Sequence, residues 1–188
     1  EKGCHREGEP FVVWEAIDVE EDFASTRKQK KRERGAAFSG GSNSRPPNVL
    51  MKRIHDRAVP LVRGTEGSAG FDLSIVQNVT IPPKGKALLP TGWEMAIPDG
   101  WYGKIHARSG VSHQKHTEVV AGVIDSDYRG EVKVLMFNHS NKPVVFCTGD
   151  RVAQMTFQEV NVPEVIEVSK LGETDRGKRG FGSTDVKP

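Results

Sequence analysis

The feature that most constrains the fold is a series of short runs in which apolar and polar residues alternate. In RVAQMTFQEV, Ala153 and Met155 share one face of an extended chain, and Gln154 and Thr156 share the other. A period of two residues is the signature of a half-buried strand. Similar runs, spaced about ten residues apart between prolines and glycines, are typical of sandwiches, jelly rolls and barrels. They read FDLSIV, VTIP, KALLP, GWEMAI, WYGKIHA, TEVVAGVI, EVKVLMFN and PVVFC. The sequence therefore predicts an all-β domain that begins near Val49 and contains no helix of three turns.

Residues 1–48 differ in kind from the rest of the chain. They hold an acidic patch, WEAIDVEED, then the basic run RKQKKRER from Arg27 to Arg34, then GAAFSGGSNSRPPN. Blocks of opposite charge followed by Gly, Ser, Asn and Pro are typical of disordered chain. We predict a disordered N-terminal arm. Its basic run is a candidate for binding an import receptor or a polyanion, and a solvated linker is the alternative.

The overall composition and charge indicate where the protein is located more than which reaction it performs. The 188 residues carry a net charge of +2, which neither favours nor excludes a nucleic-acid partner. No apolar run approaches the roughly 18 residues of a membrane span, and no secretory signal pattern opens the chain. We predict an intracellular protein, in the nucleus or the cytoplasm, without a membrane partner.

Five stretches carry polar groups that a plain β fold does not require. GSAGFDLS places Asp72 at an apolar strand entry, and HARSGVS ends a strand with an anion-binding combination of guanidinium, hydroxyl and backbone N–H groups. GVIDSDYRGEV sets Asp125 and Tyr128 between two strands, and GDRVAQM carries Gln154 on a strand. DRGKRGFGSTD is glycine-rich, basic and hydroxylated, and its spacing matches neither the dinucleotide fingerprint nor the P-loop.

Taken together, these groups suit a polyphosphate attached to a flat ring. Tyr128 and Phe181 supply stacking faces, and Asp72 and Asp125 are suited to a metal or a water. The candidate phosphate donors are Arg108, Ser109, Arg176, Ser183 and Thr184.

In their order and spacing, the five stretches resemble the five motifs of the trimeric dUTPases (dUTP diphosphatases). The matching segments are AGFDL, RSG, GVIDSDYRGEV, GDRVAQM and RGKRGFGST, and the resemblance covers about residues 49–185. It implies a jelly-roll homotrimer that hydrolyses dUTP to dUMP and pyrophosphate with Mg²⁺. This activity limits uracil incorporation into DNA and supplies dUMP for thymidylate synthesis. Residues 49–172 would form the jelly roll, and residues 173–188 a flexible arm that closes over the nucleotide.

The resemblance also implies a role for each matching residue. Asp125 is expected to hold and polarise the attacking water, and Gln154 to hold the α-phosphate region or the water. The backbone of Gly122, Val123 and Ile124 would read the edge of uracil, because a site built to pair with one base edge leaves buried groups unsatisfied by another.

The resemblance implies that residues 122–132 form a β-hairpin, in which Tyr128 would pack on the deoxyribose and exclude a 2′-hydroxyl. Arg129 and Glu131 would brace the hairpin. Asp72 is expected to act on the metal through a water or, alternatively, to brace a hairpin or an interface, and the Mg²⁺ itself would be held mainly by triphosphate oxygens.

The remaining expected contacts are to the phosphates and the base face. Phe181 would cover the uracil. The phosphates would be bound by Arg108, Ser109, Arg176, Ser183 and Thr184, and Gly110 and Gly182 would also bind the substrate. The fifth stretch departs from the family at Arg179 and Asp185, where glycine is usual or frequent.

Two other readings are open inside this fold. A dCTP deaminase shares the jelly roll but needs a glutamate in place of the arrangement of Asp125 and Tyr128. A dUTPase-like protein that has lost catalysis would act as a binding module, although every expected chemical residue is present in this sequence.

Overall fold

The structure is a computed structural model that describes residues 47–180. Eleven β-strands and one short α-helix make up the regular structure of this part of the chain. In chain order they are β1 (Leu50–Arg53), β2 (Val62–Arg63), β3 (Phe71–Ser74), β4 (Val79–Ile81), β5 (Lys86–Ala96), β6 (Trp101–Ala107), α1 (Ser109–Lys115), β7 (Thr117–Val120), β8 (Val123–Ile124), β9 (Glu131–Asn138), β10 (Val144–Phe146) and β11 (Arg151–Glu159). The all-β prediction is confirmed.

The strands form three antiparallel sheets. A four-stranded sheet has the order β1-β5-β9-β7, and a five-stranded sheet has the order β2-β3-β11-β6-β8. β4 and β10 make a two-stranded ribbon. Because β11 is the central strand of the five-stranded sheet, its polar face is surrounded by residues of β3 and β6.

The predicted alternation of β11 is present in the structure. Ala153 and Met155 are fully buried in the core, whereas Gln154 and Thr156 lie half-buried on the opposite face. Val152 is also buried, because the pairing of β11 with β3 shifts register between Arg151 and Ala153. This face assignment decides that Gln154 points away from the core.

Two predicted runs, KALLP and GWEMAI, form one continuous strand, β5. The strand bends where its pairing with β9 shifts register between Pro90 and Glu94. Gly92 lies in this bulge at a φ of 74°, and a β-carbon there would fall 2.8–2.9 Å from side-chain atoms of Val76, Ala58 and His55. Only glycine fits this conformation and this space.

The run TEVVAGVI is divided between two sheets. β7 pairs with β9 in the four-stranded sheet, and β8 pairs with β6 in the five-stranded sheet. The chain crosses between them at Ala121, whose φ is 52°. As a result, the first and last residues of one apolar run lie in different sheets.

The remaining described segments contain one helix and an exposed tail. The RSG stretch, expected as a turn, opens the two-turn helix α1. Residues 160–180 contain neither helix nor strand, and almost all of them are exposed. None of the helices in the described part of the chain has the length and apolar character needed to cross a membrane.

Candidate active site

A cavity of about 430 Å³ lies at the end of the five-stranded sheet where β3, β11 and β6 meet. It brings together residues from the first, second and fourth of the sequence motifs. Its lining consists of Gly64, Ser68, Gly70, Asp72, Arg108, Ser109, Gly110, Val111, Gln114, Lys115 and Gln154. The register explains the grouping, because Asp72 of β3 and His106 of β6 both pair with Gln154 of β11.

The carboxylate of Asp72 is held by two arginines. Arg108 Nε forms a salt bridge with Asp72 Oδ1 at 3.0 Å, and Arg151 Nη1 forms one with Asp72 Oδ2 at 3.2 Å. The Asp72 side chain is 11% exposed, against 34% for Arg108 and 52% for Arg151. Arg108 Nη1 also donates to the carbonyl oxygen of Arg151 at 3.0 Å. A guanidinium has five N–H donors, so these contacts orient Arg108 without using all of them.

The helix α1 supplies backbone donors beside Arg108. Arg108 is the N-cap residue, with φ −92° and ψ 129°, and no side chain caps the helix. The first N–H groups of a helix have no acceptor within it. Ser109 and Gly110, at this end, are exposed and line the cavity. Lys115, at the other end of α1, adds a second cation to the lining.

Gln154 lies between the two neighbouring strands. Its Nε2 donates to the carbonyl oxygen of Ala107 at 3.0 Å, where β6 ends. Its carboxamide therefore faces the cavity in a fixed direction, beside Asp72 and Arg108.

The third motif forms the loop between β8 and β9. The resemblance implies a β-hairpin here, but β8 pairs with β6 while β9 pairs with β5 and β7, so the two strands lie in different sheets. We keep the name hairpin for residues 122–132. Tyr128 N donates to Asp125 O at 3.2 Å, and the Tyr128 hydroxyl donates to Glu131 O at 3.0 Å. Asp125 and Tyr128 are both exposed, and the tyrosine side chain is 44% exposed. The hairpin therefore presents a carboxylate and an aromatic face to solvent.

Two further residues brace this hairpin, as predicted. Arg129 Nη1 donates to the carbonyl oxygens of Ser126 at 2.7 Å and Tyr128 at 2.9 Å. Glu131 Oε1 accepts a hydrogen bond from Gly92 N at 2.9 Å, which ties the hairpin to the bulge of β5.

Residues 122–124, predicted to read the edge of the base, run along β6. The carbonyl oxygen of Gly122 accepts a hydrogen bond from Ile105 N at 2.7 Å, and a β-carbon at Gly122 would collide with the carbonyl oxygen of Ile105. Val123 and Ile124 pair with Lys104 and Gly103. Glycine at 122 thus permits the backbone of the hairpin to approach β6 closely.

Within one chain, the hairpin and the cavity are apart. No residue of the third motif lines the cavity. Extending the register of β8 places Asp125 level with Tyr102 and Gln158, four residues along β11 from Gln154 and two strands away. Ideal strand spacings of about 4.8 Å and a rise of about 3.3 Å per residue put the Cα atoms of Asp125 and Gln154 about 16 Å apart. The two predicted catalytic residues do not meet in a single copy.

The described part of the fifth motif, residues 176–180, does not line the cavity either. Arg176 Nε donates to Arg179 O and Arg179 Nε to Arg176 O, each at 3.1 Å, and Arg179 Nη2 donates to Asp175 O. Both arginines are exposed. The other residues predicted in this motif lie outside the described residues; they are Phe181, Gly182, Ser183, Thr184 and Asp185. The basic run from Arg27 to Arg34 also lies outside them.

The residues at hand do not fit a directly coordinated Mg²⁺. Within residues 47–180, no three His, Cys, Asp or Glu side chains gather in a way that could hold a metal. Both carboxylate oxygens of Asp72 already accept from arginines. The role of Asp72 toward a metal through a water stays a prediction.

Several residues in the cavity, and one that holds Asp72 beside it, carried no role in the sequence prediction. Arg151 stood in the quoted motif GDRVAQM, but its partner Asp72 is 79 positions away. Lys115, Gln114, Ser68, Gly64 and Gly70 also line the site or adjoin it. Lys115 follows RSG by about one and a half helical turns, so a predicted helix in this stretch would have placed it near Arg108 at the site.

The chain is an antiparallel β protein with a cavity at the end of one sheet, lined by the cations Arg108 and Lys115. A family model described as dUTPase matches residues 56–185. The chain belongs to the dUTPase family.

Named relatives agree with this assignment. The chain is 48% identical over 145 residues to the mitochondrial deoxyuridine 5'-triphosphate nucleotidohydrolase of Dictyostelium discoideum, covering 76% of this chain and 81% of the relative. It is 44% identical over 146 residues to the deoxyuridine 5'-triphosphate nucleotidohydrolase of Arabidopsis thaliana, and the match covers 78% of this chain and 88% of that one.

Solved structures agree on the fold. A Staphylococcus bacteriophage 80alpha dUTPase with dUpNHpp superposes with a TM-score of 0.68 at 24% identity, covering 75% of this chain and all (100%) of that one. A dUTPase from phage phi11 of S. aureus, described with a structural Mg(II) ion, has a TM-score of 0.63 at 22% identity. The match covers 68% of this chain and 100% of that one. These neighbours confirm the jelly-roll prediction.

Proposed function

We propose that this chain is a dUTP diphosphatase, which hydrolyses dUTP to dUMP and pyrophosphate. The observation that carries the proposal is the cavity shared by three motifs, where Arg108, Lys115 and the first turn of α1 offer donors to a polyphosphate. The identities of 44% and 48% to proteins named for dUTP hydrolysis support the same substrate.

The proposed reaction is an in-line attack of water on the α-phosphorus. The water oxygen bonds to this phosphorus while the bond to the oxygen that bridges to the β-phosphorus breaks, and the electron pair leaves with pyrophosphate. Such a transfer depends on positioning and charge neutralisation more than on covalent help. Asp125 orients the water and takes its proton, and Gln154 holds the water or the α-phosphate.

The nucleotide is held by two sets of groups. Arg108, Ser109 and Gly110 bind the phosphates, and Arg176 joins them when the C-terminal arm closes. The backbone of residues 122–124 pairs with the uracil edge, and the exposed ring of Tyr128 covers the deoxyribose. Mg²⁺ would be held mainly by the triphosphate oxygens of the substrate, which suits an ion that keeps several waters, and it would neutralise their charge.

We propose that the complete site is built from several copies in a homotrimer. The separation of about 16 Å between Asp125 and Gln154, estimated from strand spacing, supports a hairpin supplied by a second copy. A second observation is the apolar tail after β11, which carries side chains that one copy leaves in solvent and that oligomerisation would cover. These are Val162, Val165, Ile166 and Leu171, with exposures of 86%, 93%, 70% and 80%.

The decisive experiment compares nucleotides side by side. Hydrolysis of dUTP, dTTP, dCTP and UTP is followed by pyrophosphate release, and ammonia release is measured on dCTP. We expect turnover of dUTP alone, since the hairpin would refuse the cytosine edge, the thymine methyl and the 2′-hydroxyl. Comparable turnover of dTTP or UTP would contradict the proposal, and ammonia release from dCTP would favour the deaminase.

A further inference from the structure

Gly70 lies directly before β3 and against the side chain of Gln154. It is buried, and a β-carbon built on it would fall 2.6 Å from Gln154 Oε1, 3.1 Å from Gln154 Cβ and 3.2 Å from Gln154 Cδ. The first distance is shorter than any ordinary non-bonded approach between carbon and oxygen. All three of these nearest atoms belong to Gln154.

The backbone conformation does not explain the glycine. The glycines with positive φ among the described residues are Gly92, Gly100, Gly149 and Gly177, and Gly70 is not one of them. An alanine at position 70 is therefore acceptable to the main chain. What a side chain at position 70 would disturb is therefore the Gln154 side chain and not the main chain.

The space beside Gly70 determines where the carboxamide of Gln154 lies. The Nε2 atom donates to Ala107 O at 3.0 Å on one side, and Oε1 faces the hydrogen atoms of Gly70 on the other. A methyl group at position 70 would move Oε1 by a few tenths of an ångström or more. Because Nε2 belongs to the same rigid amide, the hydrogen bond to Ala107 would lengthen or break.

We propose that Gly70 is a positioning residue for Gln154, and that it acts on the reaction only through this side chain. The inference rests on the proposed function, in which Gln154 holds the attacking water or the α-phosphate. Displacement of a positioning group by about 1 Å can lower a rate by about 100-fold. Gly70 itself needs no contact with the nucleotide.

The test is Gly70→Ala, with Gly67→Ala as the matched control. Gly67 lies in the loop before β3, and a β-carbon there has no atom within 4 Å. We expect Gly70→Ala to lower kcat for dUTP by about 10-fold to 100-fold with KM changed by less than about threefold. Gly67→Ala should match the unmodified protein, so equal kcat values for the two variants would overturn the inference.

A double-variant cycle separates positioning from a general loss of packing. Gln154→Ala removes Oε1 and Cδ, two of the three atoms that an alanine at 70 would meet. In the Gln154→Ala background, Gly70→Ala should therefore lower kcat by less than about twofold. If the two losses multiply instead, Gly70 acts independently of Gln154 and the inference is wrong.

Two further readouts cover the other outcomes. If Gly70→Ala does not fold, the Gly70→Ala/Gln154→Ala variant should regain a cooperative melting transition, and its failure to do so would overturn the inference. If the unmodified protein does not hydrolyse dUTP, the proposed function fails separately. The crystal structure of Gly70→Ala then decides, because an unchanged distance of 3.0 Å from Gln154 Nε2 to Ala107 O contradicts positioning.

Discussion

At the scale of single residues, Asp72 shows how a motif acquires a role from its contacts. One oxygen binds Arg108 at 3.0 Å and the other binds Arg151 at 3.2 Å, so the carboxylate links two strands and aims a guanidinium at the cavity. Its side chain is nearly buried, and removing one partner of such a pair leaves the others poorly compensated.

Asp72→Asn keeps the shape of the side chain and removes its charge. We expect the free energy of unfolding to fall by about 1.5–3 kcal/mol, the range for a lost hydrogen bond to a charged group, and KM for dUTP to rise because Arg108 is no longer held. Urea denaturation and steady-state kinetics measure the two effects.

The control for Asp72→Asn is Glu94→Gln, which breaks the exposed contact between Lys52 and Glu94 at 3.0 Å. A surface pair of this kind contributes about 0–1 kcal/mol. Equal losses in both variants would contradict the special role of Asp72. The turnover of Asp72→Asn is also measured against Mg²⁺ concentration. A higher Mg²⁺ concentration at half-maximal turnover would support a role of Asp72 through a metal-bound water.

Asp125→Asn tests the proposed water acceptor. Asp125 is exposed on the hairpin, so the variant should fold and bind dUpNHpp normally. Turnover should fall by about 100-fold to 10,000-fold, the usual contribution of a positioned acid or base. Asp127→Asn, in the same loop, is the control and should stay active. Near-normal turnover of Asp125→Asn would remove Asp125 from the mechanism.

At the scale of elements, the C-terminal arm is separable from the sheets. The last strand ends at Glu159, and residues 160–180 make few contacts with the rest of the described chain. Truncation after Gly172 should therefore leave a folded protein with little activity, since it removes the whole fifth motif. Circular dichroism and dUTP turnover measure the two properties, and truncation after Asp185, which keeps the motif, should stay active.

Phe181→Ala should cost less than that truncation, because it removes only a stacking contribution of about 1–3 kcal/mol. Limited proteolysis at Arg176, Lys178 and Arg179 reports closure directly. We expect dUpNHpp to slow cleavage and dUMP to leave it unchanged, since dUMP lacks the outer phosphates. Equal cleavage with and without dUpNHpp would contradict a closing arm.

At the scale of the whole molecule, the separation of the hairpin from the cavity predicts that inactive variants complement each other. Asp125→Asn and Gln154→Ala, co-refolded in equal amounts, should recover about a quarter of the wild-type turnover, because half of the hairpins and half of the cavities are intact and they combine at random. Each variant alone should show only a small residual turnover, well below that of the mixture, and native mass spectrometry should report trimers.

The control for complementation is a mixture of Asp125→Asn with Tyr128→Ala. Both changes lie on the same hairpin, so no site of a mixed trimer receives an intact one. Recovery in this control, or no recovery in the first mixture despite mixed trimers, would contradict a shared site.

Deleting residues 1–48 tests the independence of the N-terminal arm. β1 begins at Leu50, and no cavity residue of the active site precedes Gly64. We expect unchanged dUTP turnover, weaker retention on heparin and a changed location in cells, because the basic run from Arg27 to Arg34 is lost. Replacing only its lysines and arginines with glutamine should reproduce the binding effect. Loss of hydrolysis in a folded deletion variant would show that the arm belongs to the enzyme.

The all-β class and the face on which Gln154 lies follow from the sequence alone, as do the five polar stretches. The bracing role of Arg129 and Glu131 was implied by the resemblance that these stretches carry. These conclusions depend on period-two alternation, on turn residues and on short motifs, which are local properties of the chain.

Only the tertiary structure decided which of those residues meet. The sheet order β2-β3-β11-β6-β8 places Asp72, Arg151 and Gln154 side by side and leaves Asp125 at the far edge. Alternation assigns a side chain to a face of its strand, but it carries no information about which strands become neighbours, because that order is chosen by the packing of the whole core. The close approach of Gly70 to Gln154 has the same origin, since the space beside Gly70 is occupied by a residue more than eighty positions away.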